Sequence, residues 1–256
     1  MRSAPRPSSN ADRFAAAPLA GGGTPAEAWL SADPLPQLDL SACAALVVVA
    51  PHPDDETLGL GATAAQLVSS GVDVQVVSVS DGGGADPDAS AFDRARMEAT
   101  RRDELFLAAG VLGIHGSVSL RLPDGRLAEH EDRLADSLGE ILADAVPGTW
   151  CAATWRGDGH PDHEAVGRAA AAACAGTDVA LLEYPVWMWH WASPDDPAVP
   201  WDRAYRSPLS ASAVSRKHIA ARCFSSQLEP ATAGAAPVVP PAVLQRLLAV
   251  GEVVLR

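Results

Sequence analysis

Short, uninterrupted apolar runs alternate along this chain with longer stretches in which small and apolar residues recur among charged ones. The first run, residues 44–50, is rich in valine and has no polar position, the pattern of a strand buried on both faces of a sheet. Residues 57–70 suit a helix packed closely on that sheet, Gly71 supplies a stop, and 72–79 reads as a second strand. Right-handed crossovers make the two strands parallel. The alternation continues with a loop at Gly82-Gly83-Gly84 and Asp86-Pro87-Asp88, a helix over 92–109 and a strand over 117–120. A turn at Pro123-Asp124-Gly125, a helix over 132–145, a strand over 149–155, an Ala-rich helix over 162–175 and a strand over 179–184 follow. Strands and helices in this order predict an α/β fold, a Rossmann-like, open, mostly parallel sheet with helices on both faces.

The pattern changes after Tyr184. Residues 185–208 hold four of the seven tryptophans and many prolines without a clean period, so an irregular excursion over the sheet is expected there rather than a second domain. A helix over 212–224, a Pro/Ala-rich loop over 230–241 and a helix with a short strand over 243–256 complete the chain. Residues 1–28 are expected to be a flexible tail and 29–256 a single domain; the tail has no continuous apolar segment of the kind a signal peptide needs.

Composition narrows the partners. With 256 residues and 48% hydrophobic content, the chain can bury a full core. A formal charge of −13 and no basic stripe exclude a nucleic-acid backbone or anionic membrane as the main partner. No run is long enough to span a membrane. The four cysteines contain no Cys-x-x-Cys pair, which excludes a cysteine-rich zinc module and fits a reducing cytoplasm. Oligomeric state is not legible from the sequence.

Two segments carry candidate chemistry: His52-Pro53-Asp54-Asp55-Glu56 after the first strand, and His160-Pro161-Asp162-His163 after the 149–155 strand. Open parallel sheets bind ligands beyond the carboxyl ends of their strands, so the two loops can converge on one crevice. Hydrolytic zinc sites use three His or carboxylate ligands and leave a position for water. His52 and Asp55 are three apart and share a face if a helix starts there, and His163 supplies a third ligand from the other loop. Asp54 and His160 then stand beside the metal, a combination that suggests one base and one acid. A single His-Asp pair is more often a surface loop or helix cap; two, each directly after a buried strand, are harder to assign to chance.

These motifs resemble those of the LmbE-like, or PIG-L, family of zinc-dependent N-deacetylases, over about residues 46–227. The resemblance implies His52, Asp55 and His163 as ligands of Zn2+ or another divalent metal, Asp54 as general base, and His160 as the group that stabilises the oxyanion or protonates the leaving amine. Arg101, in Arg101-Arg102-Asp103-Glu104-Leu105, and Asp124, in Leu122-Pro123-Asp124-Gly125, match family positions that contact substrate. An exposed salt bridge and an ordinary tight turn are the plain readings of these two. One departure is Phe224, which stands where the family's H-x-S-Q motif has its histidine. Glu56 is expected to cap the helix or to orient a ligand histidine.

The aromatic run Trp187-Met188-Trp189-His190-Trp191 is expected to place at least one ring, Trp189, against substrate, and His190 is read as packed rather than ligating. Ser80 to Gly84 can cradle a phosphate or simply provide flexibility. The implied reaction is hydrolysis of an N-acetyl group from a small molecule of N-acetylglucosamine type. The alternatives are a deacylase of a non-sugar amide or longer acyl chain, and a non-catalytic Rossmann-like binding protein.

Overall fold

The computed structural model describes residues 9–84, 88–230 and 235–256; Asp86 and Pro87 of the expected glycine loop, part of the 230–241 loop and residues 1–8 lie outside these. Seven strands among the described residues form one sheet in the order β3-β2-β1-β4-β5-β7-β6. They are β1 Ala45–Ala50, β2 Asp73–Ser78, β3 Gly116–Ser119, β4 Thr149–Thr154, β5 Ala180–Tyr184, β6 Ala204–Arg206 and β7 Val253–Leu255. From β3 to β5 every pairing is parallel, whereas β7 runs antiparallel to both β5 and β6. The α/β expectation therefore holds, with an antiparallel edge added by β6 and β7.

Strand alternation divides the core in two. Leu46 and Val48 join a cluster with Val74, Val76 and Ala152, under the helices Asp55–Ser69, Ala91–Leu112 and Ala211–Ala221. Val47 and Val49 face the other way, with Val77, Cys151 and Ala153, toward the helices Glu131–Leu142 and Pro161–Cys174. A two-sided core is what an uninterrupted apolar β1 requires. The chain builds β2 and β3 on one side of β1, then crosses back to build β4 and β5 on the other. The crevice at the carboxyl ends of β1 and β4 is thus the topological switch point, where such sheets bind ligands.

Close packing brings the first helix onto the sheet. A Cβ at Gly59 would run into the Tyr184 ring, so only glycine lets this helix approach β5, and the Tyr184 hydroxyl donates to Val49 O at 2.9 Å. The same helix is tied to the C-terminus by the buried Glu252. Its Oε1 accepts from Ala62 N at 2.8 Å and lies 2.9 Å from Lys217 Nζ, while Oε2 accepts from Thr63 N at 2.7 Å and Thr63 Oγ1 at 2.6 Å.

Two expectations are corrected. Residues 9–28 are packed rather than loose. The helix Asn10–Ala16 is capped by Ser9, Asn10 Nδ2 donates to Gly157 O at 2.8 Å, and Arg13 pairs with Asp196 and sits 4.4 Å over the Trp191 ring. A second helix, Ala26–Leu30, buries Trp29. Neither helix has a long apolar period; both dock through single side chains, which pattern reading does not detect. The 185–208 stretch is also less irregular than expected. Met188–Trp191 forms a helical turn and Ala204–Arg206 is β6.

The Glu252 junction generates a stability prediction. Glu252→Ala leaves a buried lysine and two helix N–H groups without their acceptor and is expected to cost about 3–5 kcal/mol. Lys217→Met leaves the carboxylate its N–H and hydroxyl donors and should cost clearly less; urea unfolding of the two variants measures the difference.

Candidate active site

Both acidic-histidine segments lead into helices. In the second, His160 is the N-cap of the helix Pro161–Cys174, with Pro161 at the first position, where a missing N–H does no harm. In the first, Asp54 is the N-cap of Asp55–Ser69 and adopts φ 138°, a conformation that costs a non-glycine residue about 1–3 kcal/mol. Neighbours hold it there. Glu56 Oε2 accepts from Asp54 N at 3.0 Å, and Arg101 Nη2 donates to Pro53 O at 2.8 Å and stands 3.3 Å from Asp54 Oδ1. Glu56 therefore caps the turn and also accepts from the Thr57 hydroxyl at 2.6 Å. Burial raises its carboxyl to about 7, against that hydrogen bond.

Asp55 draws the two segments together. Its Oδ2 accepts from His52 N at 3.1 Å and lies 3.1 Å from His52 Nδ1 and 3.2 Å from His163 Nε2. Each ring is gripped from its far side by other carboxylates. His52 Nε2 lies 2.9 Å from Asp124 Oδ1 and 3.3 Å from Asp162 Oδ2, and His163 Nδ1 lies 2.8 Å from Asp158 Oδ2. When those outer nitrogens carry the protons, the inner nitrogens aim lone pairs at the Asp55 oxygen. Three acceptors facing one another require a cation between them, either a proton or a metal ion. His163 Nε2 is buried and makes no hydrogen bond, which suits a nitrogen reserved for a metal. His52, Asp55 and His163 can thus hold a metal ion, and carboxylates behind the histidines fit such a site.

The charges follow from the same contacts. Burial alone would raise the Asp55 carboxyl, but His163 and His52 hold it well below the usual range. Burial opposes charge on His163, yet Asp55 and Asp158 lift its ring to about 9. Burial drives Asp54 the other way, up to about 7, against the pull of Arg101 and with help from Asp55 and Glu56. His160 is pushed down to about 3 by burial and by the neighbouring His163 and His52. Its Nδ1 accepts from Asp162 N at 3.2 Å, which leaves the ring proton on Nε2. The crevice therefore presents a carboxyl that changes charge near neutrality beside a neutral imidazole N–H donor.

A cavity of about 170 Å³ opens over these groups, and His52, Asp54, Asp55, His160, Arg101 and Asp124 all line it. Arg101 and Asp124, expected against substrate, already have protein partners. Arg101 Nη1 donates to Gly82 O at 3.1 Å in addition to its bond to Pro53, and Asp124 Oδ2 accepts from Gly84 N at 2.6 Å while Oδ1 holds His52. The glycine loop is used in the same contacts. Gly82 has φ 70° with the Arg101 guanidinium packed against it, and Gly84 N is committed to Asp124, which opposes a phosphate cradle. A second grouping, His52 with Asp124 and Asp162, is also compact enough for a metal. Asp162, however, is occupied with Gly125 N at 2.8 Å and Leu127 N at 3.1 Å, which fixes the Pro-Asp-Gly turn.

Trp189 is a correction. It is buried edge-on against Trp29, with ring centroids 5.0 Å apart, and lines a different cavity; Trp187 is the ring of that run that reaches the candidate site. The cause is Asp158. Its carboxylate accepts from the N–H groups of Val186, Trp187 and Met188, each at 2.9 Å, and winds this stretch into a turn instead of an extended strand. His190 is packed, 2.9 Å from Arg246 Nη1, and stays away from the metal group. Phe224 is a core residue. The serines after it bond to Glu104 of the Arg101 helix, with Ser226 N at 2.8 Å and Ser226 Oγ at 2.6 Å.

Gln227, the last position of the H-x-S-Q match, lines the cavity, whereas sequence reading missed Asp158 and the C-terminal wall formed by Val238, Val239 and Leu247. Of these, only Asp158 had a signal, an acid two residues before His160 in the same loop. No helix among the described residues is long and apolar enough to cross a membrane.

Comparison with known proteins agrees with this architecture. Residues 47–174, half the chain, match the family profile described as PIG-L, GlcNAc-PI de-N-acetylase. No curated protein matches the sequence. Among solved structures, a conserved protein from Thermus thermophilus superposes with a TM-score of 0.56 at 25% identity, covering 79% of this chain and 84% of that one. The N,N'-diacetylchitobiose deacetylase from Pyrococcus horikoshii gives 0.55 at 21% identity, covering 73% and 71%. The A40926 pseudoaglycone deacetylase gives 0.56 at 24%, covering 72% and 83%.

The grip of Asp158 on His163 yields a direct test. Asp158→Ala should weaken divalent-metal binding by about 10–100-fold, the usual effect of removing the partner that orients a ligand histidine. Competition against a chromogenic chelator measures it, and an unchanged affinity would remove Asp158 from the site.

Proposed function

The chain belongs to the PIG-L family of GlcNAc-PI de-N-acetylases, and on that premise we propose that it is a divalent-metal-dependent amidohydrolase that removes an acetyl group from the nitrogen of a small, sugar-type amide. The observation that carries this reading is the shared Asp55 oxygen, 3.1 and 3.2 Å from ring nitrogens of His52 and His163, each ring backed by a further carboxylate. Two imidazoles and one carboxylate with a position left open suit Zn2+, the metal we assign to His52, Asp55 and His163. Bound there, the ion would polarise the acyl carbonyl and make a bound water acidic.

The remaining chemistry is assigned to side chains of the crevice. Asp54 takes the proton of the attacking water, a role that suits a buried carboxyl titrating at about 7. Arg101, 3.3 Å away, limits that rise and holds the carboxylate in place. His160 presents its Nε2–H to the developing oxyanion, the proton placement set by its Nδ1 contact with Asp162 N. Asp54 then returns the proton to the departing nitrogen as the C–N bond breaks. Burial of Asp54 and Asp55 keeps competing water away from both.

Retention of His52, Asp54, Asp55, His160 and His163 around one cavity supports an enzyme over a binding protein that keeps the fold without the chemistry. The proposed substrate is a small molecule of the N-acetylglucosamine class.

Asp54→Asn is expected to keep metal stoichiometry and lower amine release by about 10²–10⁴-fold, the usual contribution of a general base. His163→Ala should lose metal and turnover together. The assay is fluorogenic detection of free amine from N-acetylglucosamine conjugates beside metal analysis of the dialysed protein. Full activity after complete removal of divalent metal would overturn the mechanism.

A further inference from the structure

The walls of the catalytic cavity are sorted by chemistry along the sheet. On the side of β2 and β3 they are polar: Gly84, Arg101, Asp124 and Gly125. Asp124 lines this side and has accepting capacity left on each oxygen, so it can read hydroxyl groups. The centre, over β1 and β4, holds Asp54, Asp55, His52 and His160. On the β5 side the wall is apolar. Val186 and Trp187 follow β5, and Val238, Val239 and Leu247 come from the segment that leads into β7, the neighbour of β5. Gln227, which accepts from Val239 N through its backbone carbonyl, is the polar exception there.

An amide has two substituents, one on each side of the bond that is cut. The hydroxyl-reading side suits the sugar-like amine, which places the acyl group against the apolar wall. The methyl of an acetyl group would cover little of it. Val238, at the rim, is 43% exposed, an apolar side chain at the mouth with little to cover it in the free protein. The C-terminal wall also lies outside the family-matched residues 47–174, so this chain supplies it beyond the matched region.

We propose that the preferred substrate carries a straight acyl chain longer than acetyl, of about four to eight carbons, seated between Trp187 and the Val238–Val239–Leu247 wall. This rests on the amide-hydrolase reading. The reaction stays balanced as a hydrolysis: the amide C–N bond breaks, a C–O bond forms from water, one water proton goes to the departing amine nitrogen and the other is released as the carboxylic acid ionises, giving alkanoate, free amine and a proton. Each methylene buried against such a wall is worth about fourfold in binding.

The test is an N-acylglucosamine series, from acetyl through butyryl and hexanoyl to octanoyl, assayed for amine release with the metal-loaded full chain. Calorimetric binding of the product alkanoates is measured beside it. We expect kcat/KM to rise at least tenfold from acetyl to hexanoyl, with hexanoate binding at least tenfold more tightly than acetate. Val238→Asp, at the exposed rim, should reduce the hexanoyl-to-acetyl ratio at least fivefold. A flat or falling series with amine release from the acetyl compound would overturn the acyl-chain proposal and leave the hydrolase reading standing. A gain seen instead for N-acetylglucosaminides with a hexyl aglycone would overturn it as well, by placing the apolar group on the other side of the bond. No amine from any member would overturn both readings.

Discussion

A single buried carboxylate oxygen, Oδ2 of Asp55, sets the geometry of the crevice, because an imidazole from the turn after β1, another from the helix Pro161–Cys174 and a backbone N–H converge on it. Converging acceptors repel unless a cation fills the space between them, and that requirement spreads outward. The outer nitrogens of the rings need acceptors of their own, which Asp124, Asp162 and Asp158 provide. Those three acids in turn bind backbone N–H groups of the Gly84 loop, the Pro-Asp-Gly turn and the 186–188 turn. Three loops at the carboxyl edge of the sheet are thus organised around one charge. A net charge of −13 acquires a local meaning here, since several of the chain's acids surround this group, which can hold a cation.

The elements from β1 to β5 were legible in the sequence because each is either an uninterrupted apolar run or a long periodic segment bounded by glycine or a cap. The first acidic-histidine helix starts at Asp55, two residues ahead of the expected position, because Glu56 and Arg101 hold Asp54 in a conformation that no local pattern signals. The expected metal group does come together in space, His52 with Asp55 and His163. Trp189 was misplaced for a definite reason. Alternating large rings suggest an extended strand, but three N–H bonds to a distant carboxylate, Asp158, override that local preference. Long-range polar contacts of this kind leave no periodicity to read.

The N-terminal residues illustrate the same limit. Phe14 lies 5.1 Å from the Trp187 ring and 5.9 Å from His160, while Arg13 bridges Trp191 and Asp196. Gly23 packs against His190, whose backbone carbonyl accepts from Thr24 N at 3.0 Å. A segment without an apolar stripe of its own therefore braces the aromatic turn beside the site. The contacts are single side chains and one backbone hydrogen bond, so composition made the segment look like a tail.

The double duty of Asp158 constrains how such a protein can change its substrate. The carboxylate that orients His163 also sets the path of Val186, Trp187 and Met188, so a substitution that redirects the aromatic turn disturbs that histidine at the same time. Residues 238–247 have no bond to Asp158 among the described contacts and touch the cavity only through apolar side chains. The C-terminal wall can therefore vary without touching His163, whereas the β5 turn is bound through Asp158 to change together with it.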